Sequence, residues 1–148
     1  MKLDTFILAD AADIGPSGKI SMLGAGITRL NVEKVPTVLP VLAVVARLRA
    51  DSVEDLQDQH HVRLTITDPS GDEVLNFPSQ LRAPASGPAP PEGEELYASM
   101  IAGFSPIRLG KEGVHLVEFF LDDELVRRLT LPVVVGPSDR STSGDDAE

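Results

Sequence analysis

The chain has 148 residues, 42% of them apolar, with no cysteine or tryptophan and a formal net charge of −10. That length fits one domain with a real, largely aliphatic core. The missing cysteines exclude disulfides and thiolate metal sites, and an acidic surface with no basic stripe argues against nucleic acid or an anionic membrane as partner. No apolar run approaches the roughly 18 residues of a spanning helix. The N-terminal MKLDTFILADAAD breaks its short apolar stretch with Asp4 and Asp10, unlike a secretory signal. The expectation is a soluble, cytoplasmic protein, and its wealth of Ala, Val, Asp and Pro points to a GC-rich bacterial source.

Twelve Gly and twelve Pro punctuate the chain and leave short β-favouring runs between them. The first predicted strand, Leu3–Ala11, carries FILADAADIG. A strand ending on an acid is where haloacid-dehalogenase-type phosphatases place a nucleophile, with a general acid two residues later. Here Asp13 comes three residues after Asp10, and the chain lacks the strand–helix alternation of a parallel scaffold. Asp10 is therefore expected to be a structural polar residue, its carboxylate accepting backbone N–H bonds in the turn of Asp13, Ile14, Gly15 and Pro16.

Strands are predicted next at Lys19–Leu23 and Gly26–Leu30. The LGAGITRL stretch imitates the start of a dinucleotide fingerprint, but Arg29 stands where the third glycine belongs and Pro36 would break the following helix. A bulge or sharp bend fits better. Val41–Arg49 follows, apolar on both sides at its start. Ser52 with Asp55 three residues on resembles a capping box for a short acidic helix. His60 and His61, adjacent in a strand, point to opposite faces and cannot readily hold one ion together.

In VRLTITD, Val62, Leu64 and Ile66 alternate with polar residues, and Asp68, Pro69, Ser70 and Gly71 supply a turn into Glu73–Phe77. The Pro- and Gly-rich Arg82–Glu95 reads as a mobile, partly polyproline loop. Strands are expected at Leu96–Ala102, Val114–Leu121, Leu125–Arg128 and Leu131–Val135, with LDDELVRR as a tight hairpin. Residues 136–148 form an acidic tail expected to be disordered. The predicted fold class is all-β: a single immunoglobulin-like antiparallel β-sandwich of about 7–9 strands, spanning residues 1–135. His115 would be its second structural polar residue, in the slot where such domains often carry a corner Tyr.

One strand departs from the usual pattern. His115, Val117, Phe119 and Leu121 alternate with Val114, Leu116, Glu118 and Phe120, and both sets are mainly apolar. A strand wet on one face does not look like this. Either the Arg82–Glu95 loop covers Val114, Leu116, Glu118 and Phe120, or another chain does, which would make them an interaction face.

The opening MKLDTFILADAA, the strand PVLAVVARLR and the closing GVHLVEFFLDDELVRRLTLPVVV resemble a family of short bacterial proteins of unknown function. Its members begin with a KLDYFILADAA-like strand and end in a GxYxFxLxVDG-like hairpin. The resemblance spans Met1 to about Val135. It implies a compact β-sandwich, with Phe6, Leu8, Ala9, Asp10 and Ala11 in the first strand, and brings no established activity. This chain departs from the pattern at His115, where the family usually has Tyr, and at Asp123, where it usually has a turn Gly.

No catalytic, cofactor-binding or metal-ligating residue is assigned, and no cofactor is expected. The functional expectation is a non-catalytic module that binds another protein or itself through the outer face of Val114, Leu116 and Phe120 and an exposed sheet edge. The alternative is a small-ligand or metal-dependent enzyme using Asp10 and nearby carboxylates. Carbohydrate recognition is weakened by the lack of Trp and the single Tyr, the usual stacking platforms.

Overall fold

A computed structural model of the chain describes residues 1–82 and 88–136. From the N-terminus, β1 (Lys2–Ala9) leads into the hairpin of β2 (Ala11–Ile14) and β3 (Ile20–Leu23), followed by β4 (Leu30–Val32), β5 (Thr37–Leu39) and β6 (Leu42–Ala50). After one helical turn, α1 (Val53–Gln57), come β7 (His60–Thr67), β8 (Glu73–Leu81), β9 (Leu96–Phe104), β10 (Ile107–Leu109), β11 (Gly113–Leu121) and β12 (Glu124–Val135). The protein is all-β. Its two larger sheets have the orders β1-β6-β9 and β4-β12-β11-β7-β8, and β2-β3 and β10-β5 form two small pairs.

Alternation along the strands builds one core from both larger sheets. Phe6 and Leu8 of β1 and Leu42, Val44, Ala46 and Leu48 of β6 join Val62, Leu64 and Ile66 of β7 and Val117, Phe119 and Leu121 of β11 in a single buried cluster. The Phe6 and Phe119 rings meet between the sheets with centroids 5.5 Å apart. Each large side chain so buried contributes about 1.5–3 kcal/mol, which makes this cluster the main favourable term. The opposite side of β6 is buried as well, at Ala43 and Val45. There β2 packs against both β6 and β9. The run of apolar residues in β6 is thus explained within one chain, by a hairpin that the sequence reading did not consider as cover.

Several local readings hold. Ser52 Oγ accepts the Asp55 N–H at 3.0 Å and opens α1. Asp68 Oδ1 accepts the N–H groups of Ser70 and Asp72 at 2.8 and 3.0 Å, and Gly71 turns the chain at φ 84°.

Others need correction. The described residues form twelve strands, not seven to nine. No strand runs from Gly26. Its N–H and that of Ile27 both donate to the Leu8 carbonyl, at 2.9 and 3.1 Å, and with Gly24 and Gly26 at positive φ this stretch is the predicted bend; the strand begins at Leu30. That strand, β4, pairs parallel with β12 while all other ladders are antiparallel. The two predicted C-terminal strands are one, β12, which runs through Pro132. β4 joins only from Val133, so at Pro132 β12 is paired on its β11 side alone, and a proline is tolerated on such an edge.

Of the expected mobile loop Arg82–Glu95, residues 83–87 lie outside the described residues. So does the expected tail apart from Gly136. No helix among the described residues is long and apolar enough to cross a membrane.

Candidate functional site

The outer side of β11 carries Val114, Leu116, Glu118 and Phe120. Cross-strand register places Leu116 between Thr130 and Thr67, Glu118 between Arg128 and Thr65, and Phe120 between Leu125 and Arg63. Arg128 donates to Glu118 at 3.0 Å, and the Arg63 guanidinium stands 4.2 Å from the centre of the Phe120 ring. Arginines lay their apolar stems over neighbouring surface while the charged head stays wet, and a cation over a ring face is attracted to it. Neighbouring strands therefore give this face part of the cover that the sequence reading sought in a loop or a second chain. Val114 stays 48% exposed and Leu125 39%. Beside Phe120, a cleft of about 260 Å³ opens between His61, Arg63, Pro78 and Ser79.

Asp10 lies elsewhere, at the junction of β1 and β2. Its backbone N–H donates to the Leu23 carbonyl at 3.0 Å, and its carboxylate lies over the bare Cα of Gly24. A Cβ there would fall 2.0 Å from Asp10 Oδ2, and Gly24 has φ 59°, so the close approach and the backbone both require glycine. The turn of the β2–β3 hairpin is closed by main-chain bonds instead, from Gly15 to Lys19 and from Gly18 to Gly15. Among the described residues the Asp10 carboxylate accepts no hydrogen bond. The expected capping bonds are not formed. Nor do any three His, Asp or Glu side chains among the described residues converge as a metal ion requires.

The most developed polar cluster is one that sequence reasoning missed. His60, buried at the start of β7, sends Nδ1 to Asp122 Oδ2 at 2.7 Å and Nε2 to the Asp55 carbonyl at 2.8 Å, with Asp55 Oδ1 at 3.3 Å. Asp122 also accepts the His61 N–H at 2.9 Å and returns its own N–H to the His61 carbonyl at 2.8 Å. Both ring nitrogens face acceptors, so only the doubly protonated ring satisfies both. Burial disfavours that charge, but the Asp122 hydrogen bond, the Asp55 carbonyl and the two nearby carboxylates outweigh it and raise the His60 pKa above its ordinary 6.5. Asp122 responds in kind: burial would raise its pKa, and the His60 and His61 bonds pull it below 3.8. Asp55 is also lowered, chiefly by the Met1 ammonium at 2.8 Å. With both nitrogens engaged, His60 offers no atom to a substrate. The cluster ties α1, β7 and the β11–β12 turn together.

His115 is buried at the opposite end of the sheet. Its Nδ1–H donates to the Gly113 carbonyl at 3.0 Å, while Nε2 is buried with no hydrogen-bond partner among the described residues. The ring thus bonds to backbone through one nitrogen, and the other goes unused among the described residues. His61 points outward, so the two adjacent histidines do face opposite ways.

A model of a family of unknown function, DUF6941, matches residues 4–134. The chain belongs to that family. Membership agrees with the resemblance drawn from the opening strand and closing hairpin, and it brings no activity with it. No curated protein matches the sequence. Among solved structures, the chain is similar to part of the Pseudomonas fluorescens alkylpurine DNA glycosylase AlkC bound to DNA containing an abasic site analog, at 11% identity and a TM-score of 0.41 over 72% of this chain and 27% of that one. It is also similar to part of a beta-glucosidase from Listeria innocua in complex with glucose, at 15% identity and a TM-score of 0.43 over 74% of this chain and 15% of that one. In both, the chain spans less than a third of a larger enzyme.

Proposed function

We propose that this member of DUF6941 is a non-catalytic cytoplasmic domain that binds another protein or assembles with itself, built as an immunoglobulin-like sandwich. Strand order supports the architecture. In such domains the second and fifth strands share one sheet while the third, sixth and seventh share the other. Leaving out the short strands β2–β5 and β10, β6 and β9 occupy the first pair of places, and β7, β11 and β12 the second set.

The observation that carries the interaction reading is the outer face of β11 and β12. Val114 and Leu125 stay exposed at its two ends, with Leu116 and Phe120 half-buried between them. Leu116 and Phe120 flank the Glu118–Arg128 pair, and a strip that joins exposed aliphatic, aromatic and arginine side chains has the mixed make-up of a contact surface. Light scattering and pull-down with the purified chain test the idea, using Phe120→Asp as the probe. The expected result is that association is lost while the melting temperature barely moves. A strict monomer whose Phe120→Asp variant captures the same partners as the parent removes the basis for this reading.

A further inference from the structure

A β-sheet edge is a row of unpaired N–H and C=O groups, and natural proteins blunt such edges with charges, prolines, bulges, short strands or covering segments. Among the described residues the two larger sheets have four edges, β1, β9, β4 and β8. Three are blunted. β1 carries Lys2 and Asp4 and a register shift between Leu3 and Thr5. β4 is three residues long. β8 contains Pro78 and has β10 packed against it.

β9 has no charge, proline, bulge or short length, and although β2 and α1 pack against it, neither takes up its main-chain groups. It is nine residues long, LYASMIAGF, without a charge or a proline, and it pairs with β6 in unbroken register from Leu96 to Phe104. Residues Leu96 to Gly103 remain partly or fully exposed. Among the described residues no main-chain bond outside the β6 ladder reaches β9.

The charges around this edge select what can add to it. Glu92, Glu94 and Glu95 precede the strand, α1 with Glu54 and Asp55 lies at its start, and β2 with Asp13 packs against it. Glu95 faces Arg49 at 4.0 Å and Asp55 holds the Met1 ammonium at 2.8 Å, which leaves Glu54, Glu92, Glu94 and Asp13 without an ion pair among the described residues, against Arg47 over the Tyr97 ring at 3.7 Å. A second copy adding antiparallel would extend its own Glu92–Glu95 past Phe104 of the first, toward the acidic β2 side, in a chain of net charge −10.

We infer that β9 is a strand-addition site, and that its occupant is an extended segment of another protein with an alternating apolar–polar centre and basic flanks. Main-chain bonds to β9 supply affinity. Alternate side chains of the added strand continue the rows of Ala98, Met100 and Ala102 on one side and Ser99 and Ile101 on the other. The inference rests on the interaction reading above, whose exposed sheet edge it identifies as β9 and to which it gives an occupant.

The test uses two synthetic peptides, one with alternating valine and threonine between pairs of lysines, the other with glutamate at every lysine position. The readout is amide chemical shift and hydrogen exchange along β9 at low salt. The lysine peptide should shift and protect alternate β9 amides saturably, and the glutamate peptide should bind at least tenfold more weakly. Ser99 and Met100 are neighbours in the strand, so one of them points its N–H away from β6. Proline at that position should abolish peptide binding with the fold intact, while proline at the other breaks the β6 ladder.

Untouched β9 amides, or equal binding of both peptides, overturns the inference. So does concentration-dependent protection of β9 without peptide, which would assign the edge to a second copy. If the peptides fail while Phe120→Asp still abolishes association, the edge is wrong and the face reading stands; if both fail, the interaction reading falls as well.

Discussion

His60 and His115 are buried on the same inward side of the five-stranded sheet, at opposite ends, and they are wired differently. His60 spends both nitrogens, on a carboxylate and a carbonyl. His115 spends one and leaves Nε2 without a partner among the described residues. A buried, fully satisfied polar group specifies its surroundings, whereas a half-satisfied one costs free energy at the same burial. The contrast shows that residue type and burial do not fix a histidine's role. What decides it is the acceptors that neighbouring segments bring, and His60 has a helical turn and a hairpin to bring them.

The largest test of that contrast is Asp122→Ala. It strips acceptors from His60 Nδ1 and the His61 N–H, and leaves a non-glycine residue at φ 49° without the bonds that hold it there. A loss of about 1–3 kcal/mol is expected in urea denaturation, since His60 is buried while Asp122 is half-exposed. A loss under about 1 kcal/mol would mean that the His60 end is wired no more tightly than the His115 end.

The pH profile tests the same cluster more gently. His60 has a raised pKa in the fold, so its contribution is fully present below its unfolded value of 6.5 and is lost as pH climbs through the higher folded value. Asp55 and Asp122 have lowered values, so theirs is present above 3.8 and is lost as pH falls through the lower folded values. Stability from this cluster should be greatest between about pH 4 and 6.5 and fall on both sides. Denaturation midpoints across pH 3–9 check this, and His60→Gln should flatten the alkaline limb. An alkaline limb unchanged in that variant would detach the pH response from His60.

Legibility from sequence follows the same division between local and distant. The Ser52 cap and the Asp68 turn lie within three or four residues of their partners, and both are readable because the pattern and the contact share one window. β5 and β10 are not, since three residues cannot display alternation. The His60–Asp122 pair spans 62 residues, and nothing in HH or DD alone tells which acid meets which histidine. Part of the outer face of β11 is legible as apolar. Its cover by Arg63 and Arg128 is not, because cross-strand neighbours depend on a register that sequence leaves open. The uncharged run LYASMIA is readable as a strand, but its edge position appears only once the sheet order is known.

At the His115 end the expected sign reverses. His115→Phe keeps a ring of similar size and gives up the bond to Gly113, worth about 1 kcal/mol, while removing a buried nitrogen whose lack of a partner costs about 1–3 kcal/mol. The balance lies between no change and a gain of about 2 kcal/mol, reduced by the cost of fitting a bulkier six-membered ring into a buried site, measured by urea denaturation. A clear loss would show that Nε2 has a use in solution, and the contrast with His60 would narrow.

The smallest effect comes from the β11–β12 turn, where the same contrast recurs between adjacent residues. Asp122 and Asp123 have φ of 49° and 65°, the positive pair that a two-residue hairpin loop of type I′ demands. Only glycine takes such angles without penalty, although Asp bears them better than most residues. Asp122 offsets its strain with the bonds to His60 and His61, whereas Asp123 has no hydrogen bond among the described residues to set against its own. Asp123→Gly should therefore gain up to about 1 kcal/mol, the relieved strain less the extra chain entropy of glycine in the unfolded state. Asp122→Gly should lose stability, because the carboxylate contributes more than the angle costs. Thermal melts of the two variants give opposite shifts if wiring decides the outcome, and shifts of one sign if backbone strain does.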